Sequence, residues 1–363
     1  MPGKRISIGD IARLAEVSRA SVCRALHGDS RLSDTLKRKV RKIADEMGYQ
    51  PDPLLSKLAQ NRWGSDASTP GNTIAYLCSH PTNKGGRIPR TYAWEGIQKA
   101  ASSMGYHTLY INYWGWRNMD RVEKLLRARN ITGLIIGPIS NTPPLNLKWK
   151  HYSVVDQSPQ FYPLPAFHKV GSNPFEQVQL ASRKAIEYGY KRIGLVIILH
   201  QRAFHDDLQR YGALQSLKWE FQDTDNFCQP LYLLKSSDNR VWNQPIAEWY
   251  TAHQPDAVIG FTNYIQYALK DEIGVVPPKD YAFCNLHRNA TEAVAGVNLS
   301  EHNEGVYSVR LLDSMLRNRE TGIPTHPIQH RVALEWVDGD SMPRKGKAVR
   351  FSKRLTALTM PMV

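Results

Sequence analysis

Residues 7–58 read SIGDIARLAEVSRASVCRALHGDSRLSDTLKRKVRKIADEMGYQPDPLLSKL, and this stretch decides what the first part of the chain is. Ile8, Ile11, Leu14 and Ala15 recur at helical spacing, which predicts a first helix with one apolar face. Ser7 stands at its start as a cap, with Asp10 three residues on as a capping-box partner. Glu16-Val17 makes a turn. Ser18 then caps a second helix, with Val22, Ala25 and Leu26 as its inner stripe. Arg19, Ala20, Ser21 and Arg24 are left on the outer face. Small Ala20 and Ser21 allow close approach to base edges and phosphates, and the forks of Arg19 and Arg24 match O6 and N7 of guanine. The plainer alternative is a solvated basic helix in a three-helix bundle. Ser33 caps a third helix, with Val40, Ile43, Ala44 and Met47 inward and Gly48 placed to end it. Lys37, Arg38, Lys39, Arg41 and Lys42 are read as solvated, some against phosphate.

Further along, Pro51 and Pro53 flank Asp52, so the chain restarts there with a possible cap. Leu54, Leu55 and Leu58 share one side of a helix of about two turns, too short to be stable alone. It needs its own copy in a dimer, or DNA. Apolar side chains pushed between base steps from the minor groove kink a duplex. Leu58 is the candidate wedge, with Lys57 beside it; a linker helix packed on the body is the competing reading. Gly64 to Gly71 is a polar linker. The predicted organisation is therefore a helix-turn-helix DNA-binding head at 1–50 and a hinge helix and linker at 51–71. A two-lobed effector-binding and dimerisation body follows at 72–342, and a basic tail at 343–363.

Charge fits that division. The formal net charge is +14, of which residues 1–63 carry +6 and the tail from Pro343 onward another +6. A basic head on a near-neutral body suits a nucleic-acid-binding module joined to a regulatory one. The tail is read as a solvated end, with an auxiliary DNA contact as the alternative. Cys23, Cys78, Cys228 and Cys284 show no CxxC spacing, so neither a zinc site nor a disulfide framework is expected. The basic N-terminus lacks an apolar run of the secretory kind, and no stretch approaches a membrane span. A cytoplasmic protein with no membrane partner is expected.

In the body, strand-like and helix-like stretches alternate. Thr73–Cys78, Thr108–Tyr113, Ile131–Ile136 and Tyr152–Asp156 read as strands, with helices at Trp94–Met104 and Met119–Arg129 between them. The alternation restarts with helices at Pro174–Tyr188, Asp206–Glu220, Asn243–Ala252 and Tyr264–Asp271. Strands at Arg192–Ile198, Leu231–Leu234, Ala257–Phe261 and Tyr281–Cys284 lie among these. Such βαβ runs predict parallel sheets, here in two similar lobes, with a ligand at the carboxyl ends of strands in the cleft between them. No GxGxxG, Walker A or GxSxG motif occurs. His200 and His205 lack a third metal ligand, and Asp206-Asp207 reads as a helix N-terminal charge pair rather than an acid/base dyad. No catalytic residue, metal or cofactor is expected.

Head, hinge and body together resemble the LacI/GalR family of bacterial transcriptional regulators. The resemblance is strongest from Ser7 to Leu58, with echoes in EGIQKAASSMGY, ITGLIIGP, ASRKAIEYGYKRIGLV, QPDAVIGF, VVPPKDYAF and LEWVDGDSM. It implies that Arg19, Ala20 and Arg24 read bases, and that Ser7, Ser18, Ser21, His27 and Ser33 contact phosphates or cap helices. It likewise makes Leu58 the leucine inserted at a central base step. It implies a homodimer on a pseudo-palindromic double-stranded operator, with a body like periplasmic sugar-binding proteins. A small effector between the lobes, a carbohydrate or another metabolite, would shift operator binding, and repression is the expected sign.

Departures from the family pattern are also legible. Glu16 replaces a glycine in the turn, which is tolerable where the backbone need not reach positive φ. Leu55-Ser56 replaces Ala-Arg in the hinge. The resemblance places effector contacts at Gln209, where an arginine three residues before Gly212 is usual, at Asn263, and at His287. Asp156 and Tyr92 complete the candidate set, and Trp94, Trp114 and Trp116 serve either ligand stacking or the core. A ligand-binding protein or an α/β enzyme without a DNA-reading role is the rival; the basic head argues against the first, and the second would need turnover of a bound ligand that a cleft carboxylate carries.

Overall fold

The structure, a computed structural model, describes residues 7–26, 32–47, 72–79, 91–116, 120–139, 145–158, 164–199, 205–221, 226–236, 238–288 and 292–347. Two compact units divide the chain, Met1–Thr69 and Pro70–Val363. His27, Gly48, Lys57, Leu58 and the whole predicted hinge helix lie outside the described residues.

The first unit holds helices α1 (Ile8–Ala15), α2 (Arg19–Leu26) and α3 (Asp34–Glu46). Ile11, Ala12 and Ala15 of α1, Val22 and Ala25 of α2, and Val40 and Ala44 of α3 close one small core. The predicted inner faces hold with one exception: Leu14 is 58% exposed. The line through Ile8, Ile11, Ala12 and Ala15 meets the core, and Leu14 falls roughly a third of a turn away from it.

The turn after α1 does not meet the condition under which Glu16 is free of strain. Glu16 takes φ 59° and ψ 41°, the left-handed region, and its N–H bonds the carbonyl of Ala12. The backbone here does reach positive φ, and Val17 N also donates to Ala12 O at 3.1 Å. The compact reversal into α2 imposes that conformation, which costs an L-residue with a Cβ about 1–2 kcal/mol. Glu16→Gly is therefore expected to stabilise the head by about 1 kcal/mol, after the larger unfolded-state entropy of glycine is deducted. Thermal melting of the two proteins checks this; an unchanged or lower midpoint contradicts it.

The second unit has two lobes. One sheet contains β1 (Thr73–Ser79), β2 (His107–Asn112), β3 (Gly133–Ile139), β4 (Ser153–Asp156), β5 (His168–Gly171) and β11 (Gln329–Arg331) in the order β11-β5-β4-β3-β1-β2. All its pairs are parallel. The other contains β6 (Ile193–Leu199), β7 (Leu231–Leu234), β8 (Ala257–Gly260), β9 (Ala282–Arg288), β10 (Gly296–Asn298) and β12 (Glu335–Val337) in the order β12-β10-β9-β8-β6-β7. It is parallel except for β12, which runs antiparallel to β10. Helices α4 (Thr91–Ser103), α5 (Asp120–Ala128) and α10 (Glu301–Asn318) cover the first sheet. Helices α6 (Pro174–Glu187), α7 (His205–Phe221), α8 (Asn243–His253) and α9 (Tyr264–Ile273) cover the second.

The lobes are not consecutive in the chain, as the two runs of alternation suggested. The chain crosses between β5 and α6, returns between β10 and α10, and crosses again between β11 and β12. β5, β10, β11, β12 and α10 are additions to the sequence reading. Val309, Leu312 and Met315 on α10 recur at helical spacing and pack against Ile97, Ala100 and Ala101 of α4. Backbones approach closely there: a Cβ on Gly305 would lie 2.1 Å from the Ala93 carbonyl oxygen, and one on Gly96 2.0 Å from that of His302. Only residues without a side chain fit that crossing.

The start of the basic tail touches the second lobe. Tyr190 Oη donates to the Pro343 carbonyl at 2.6 Å, and Lys345 N donates to Tyr188 O at 2.8 Å. Arg344 lies 4.3 Å over the Tyr188 ring and bonds Glu187 at 2.9 Å. Residues 343–345 are thus tethered to the second lobe while they and 346–347 stay exposed to solvent; 348–363 lie outside the described residues.

Candidate nucleic-acid interface and effector cleft

Three serines set the helices of the head. Asp10 N donates to Ser7 Oγ at 3.3 Å while Ser7 N donates to Asp10 Oδ2 at 3.0 Å, a complete capping box. Ser21 N donates to Ser18 Oγ at 3.1 Å, and Leu36 N donates to Ser33 Oγ at 3.4 Å. Each cap satisfies an N–H that the helix start leaves unpaired. With Val22 and Ala25 held in the core, α2 turns Arg19, Ala20 and Arg24 to solvent and leaves Ser21 half-buried. Ser18 and Ser21 hydroxyls also meet at 2.9 Å. The exposed face is short, small in its middle and cationic at both ends, a shape that fits a groove lined by acceptors. On α3 part of the charge is paired, with Lys37 on Asp34 at 3.2 Å and Lys42 on Glu46 at 3.8 Å. Lys39 and Arg41 are exposed.

In the body the candidate residues fall into four groups. Asp156 ends β4, accepts from Ser158 N at 2.7 Å, and has Lys169 bonded to the Ser158 carbonyl at 2.6 Å. Part of the residue meets solvent, but its carboxyl is enclosed. Desolvation pushes that carboxyl above its ordinary value; Lys169 and the Ser158 hydrogen bonds pull it back, and Asp206 of the other lobe adds to the rise. Asn263 and His287 are brought together by Asn285, whose Nδ2 donates to Asn263 Oδ1 at 2.9 Å and whose Oδ1 accepts from His287 N at 2.9 Å. His287 Nε2 lies 3.2 Å from Glu301 Oε1, at the start of α10 where the chain re-enters the first lobe. Tyr92 is half-buried in the first turn of α4, and among the described residues no hydrogen bond joins it to the other four. Trp94 is core, stacked on Tyr76 at 5.6 Å between centroids.

Gln209 is half-buried on α7, and the structure places a different residue beside it in the conspicuous position. Arg210 is 9% exposed, bonds Asp207 Oδ1 at 3.1 Å and lies 4.5 Å over the Phe261 ring. Phe261 in turn packs edge-on to His287 at 5.3 Å. A ladder of Arg210, Phe261 and His287 therefore runs along the carboxyl ends of β8 and β9. The arginine whose loss Gln209 implied is present one residue later, two before Gly212. Its signal in the sequence was the residue itself; only the helix rotation decides which of the two neighbours points inward. Asp206 and Asp207 do lie in the first turn of α7, as the charge-pair reading expected.

The family model for bacterial regulatory proteins of the lacI family matches residues 7–52. Residues 7–52 are thus a head of the lacI-family type. Two regulators called HTH-type transcriptional regulator PtxS are similar to it. That of Pseudomonas plecoglossicida is 26% identical over 140 residues, covering 38% of this chain and 37% of its own. That of Pseudomonas aeruginosa is 26% identical over 142 residues, covering 38% of each. The chain spans little more than a third of the length of these relatives. Over most of its length the fold is like that of two solved regulators. A complex of the transcriptional regulator CelR with cellobiose has TM-score 0.57 at 19% identity, with 93% of this chain and all of that one covered. The Lac repressor dimer bound to operator and the anti-inducer ONPF has TM-score 0.53 at 14% identity, with 94% and 100% covered.

In the body, Asp156 gives a pH-dependent signature. A carboxyl held above its ordinary value keeps its proton in the folded state where the unfolded chain has lost it. Folding is then favoured below a pH of about 4 and disfavoured as pH rises through the folded-state value. Asp156→Asn, which keeps the acceptor for Ser158 N, is expected to raise the melting temperature near neutral pH and to leave it unchanged in acid. A lower midpoint at pH 7 would show that Lys169 and Ser158 outweigh desolvation. Among the described residues no helix is long and apolar enough to cross a membrane, and no cluster of His, Cys, Asp and Glu is arranged to hold a metal.

Proposed function

We propose that this chain is a sequence-specific DNA-binding transcriptional regulator, a repressor, controlled by a small molecule bound between the lobes of its body. The observation that carries the reading is the capped α2, with Arg19, Ala20 and Arg24 presented on one exposed face. Arg19 and Arg24 read bases in the major groove. Ser7, Ser18, Ser21, His27 and Ser33 meet phosphates or hold the helix ends that do, and Lys57 and Leu58 act in the minor groove. The body binds its effector without turning it over. Tyr92 and Asp156 on the first lobe and Gln209, Asn263 and His287 on the second are the proposed contacts, joined by Arg210 and Phe261. A planar cation stacked on an aromatic ring, next to amides and carboxylates, suits a ligand rich in hydroxyls or carboxylates.

The active form is a homodimer on a pseudo-palindromic site, in the cytoplasm with the nucleoid. Strand β7 is a sheet edge with Tyr232 and Leu234 exposed, and Leu208 and Tyr211 of α7 extend the same apolar surface. Tyr211 and Tyr232 rings stand 6.3 Å apart. An uncovered apolar edge of this kind favours pairing with a second copy. Selection from a pool of randomised duplexes tests the whole reading. Enrichment of one inverted-repeat sequence is expected, with affinity falling steeply as salt rises. Recovery of no preferred sequence, with or without a panel of metabolites, would overturn it.

A further inference from the structure

Gly9 occupies the second position of α1, where its neighbours Ser7 and Asp10 form the capping box. Glycine is a poor choice there on local grounds, because it loses more chain entropy than any other residue when a helix forms. The tertiary contact explains it. The Arg19 side chain, leaving the first turn of α2, lies back against this turn of α1. A Cβ on Gly9 would stand 3.1 Å from Nε, 3.1 Å from Nη2 and 3.3 Å from Cζ of Arg19. These distances are tighter than ordinary van der Waals contact, and all three are to the guanidinium group. The bare backbone of Gly9 is therefore the seat on which that plane rests.

We propose that Gly9 is a specificity-determining residue of the head: by lacking a side chain, it seats the Arg19 guanidinium and fixes its direction toward the bases. The inference rests on the reading of Arg19 as a base-contacting residue. A guanidinium reads guanine through two parallel hydrogen bonds whose geometry tolerates little displacement. One methyl group at position 9 moves the fork by a few tenths of an ångström or sends it to another rotamer. The charge stays on the protein, so attraction to phosphate is kept while base discrimination is lost. Position 9 thus acts on DNA sequence from a different helix, through Arg19 alone.

The test compares the full-length chain with Gly9→Ala and Arg19→Ala in selection from randomised duplexes, followed by affinities for the selected site and its single-base variants. Arg19→Ala marks the base pair that Arg19 reads. Gly9→Ala is expected to weaken discrimination at that same base pair three- to ten-fold. Affinity for random duplex should stay within two-fold, and the helical melt should be equal or higher, since alanine favours the helix. Full discrimination retained in Gly9→Ala, with Arg19→Ala impaired, overturns the seat and leaves the base-reading role of Arg19 standing. No change in Arg19→Ala removes that role, and the inference with it. Loss spread evenly over all base pairs in Gly9→Ala also overturns the proposal, since it would place the effect in the head's docking rather than in one side chain.

Discussion

Asp207→Ala is expected to destabilise the body by about 3–5 kcal/mol, the usual consequence of leaving a buried charge without its partner. The Asp207 side chain is 2% exposed and that of Arg210 11%, and they meet at 3.1 Å. Among the described residues Arg210 Nε has no hydrogen-bond partner, and burial already lowers the guanidinium's hold on its proton against the opposing charges of Asp206 and Asp207. With Asp207 gone, Asp206 is the remaining carboxylate acting on Arg210 from its own helix. For a body of this size, each kcal/mol lowers the midpoint by about 2–4 °C, so a fall of roughly 10 °C is expected. A second variant separates the charge effect from packing. Asp207→Leu combined with Arg210→Met removes both charges and should recover most of the loss, because an apolar pair avoids desolvation altogether. Thermal melts of the three proteins decide it; a single variant within about 1 kcal/mol of the parent would mean that solvent reaches the pair.

Arg24→Ala should cost about 1–3 kcal/mol on the selected operator and little on random duplex. Arg24 is exposed at the end of α2, outside the small core of the head, so its loss leaves Val22, Ala25 and the Ser18 cap in place. Binding titrations at two salt concentrations separate the two roles a cation can have. A base reader changes the ratio between operator and random duplex. A phosphate contact weakens both alike and lowers the salt slope by about one. Equal weakening on both duplexes would move Arg24 to the second class and leave α2 with Arg19 as its one guanine reader.

The head was legible because its structure is local. Ser7, Ser18 and Ser33 announce helix starts, and their bonds to Asp10, Ser21 and Leu36 span three residues each. The φ of Glu16 was not legible, because a residue's φ is set by the reversal it must complete, and the sequence names the residue without naming the path. In the body, most strands and helices could be read from periodicity, yet α10 could not. Its apolar positions are spread through a run holding Gly305, Ser308 and several charges, and they make sense only against α4. The wall at the carboxyl ends of β8 and β9 shows the same limit. Gln209 and Arg210 are neighbours, and one helical step of about 100° decides which is buried against Phe261.

By itself, the order of residues determined the elements that close on themselves: capped helices, alternating strands, and a basic head ahead of a neutral body. Short-range hydrogen bonds and side-chain periodicity fix these with no help from distant residues. Tertiary structure alone decided how the two lobes share the chain, with α10 and β11 returning to the first lobe and β12 going back to the second. It also decided which arginine stands beside Phe261, and why glycine occupies positions 9, 96 and 305. Each of these depends on what lies across a packing contact, where tight interiors admit one arrangement of volume and charge and exclude its neighbours.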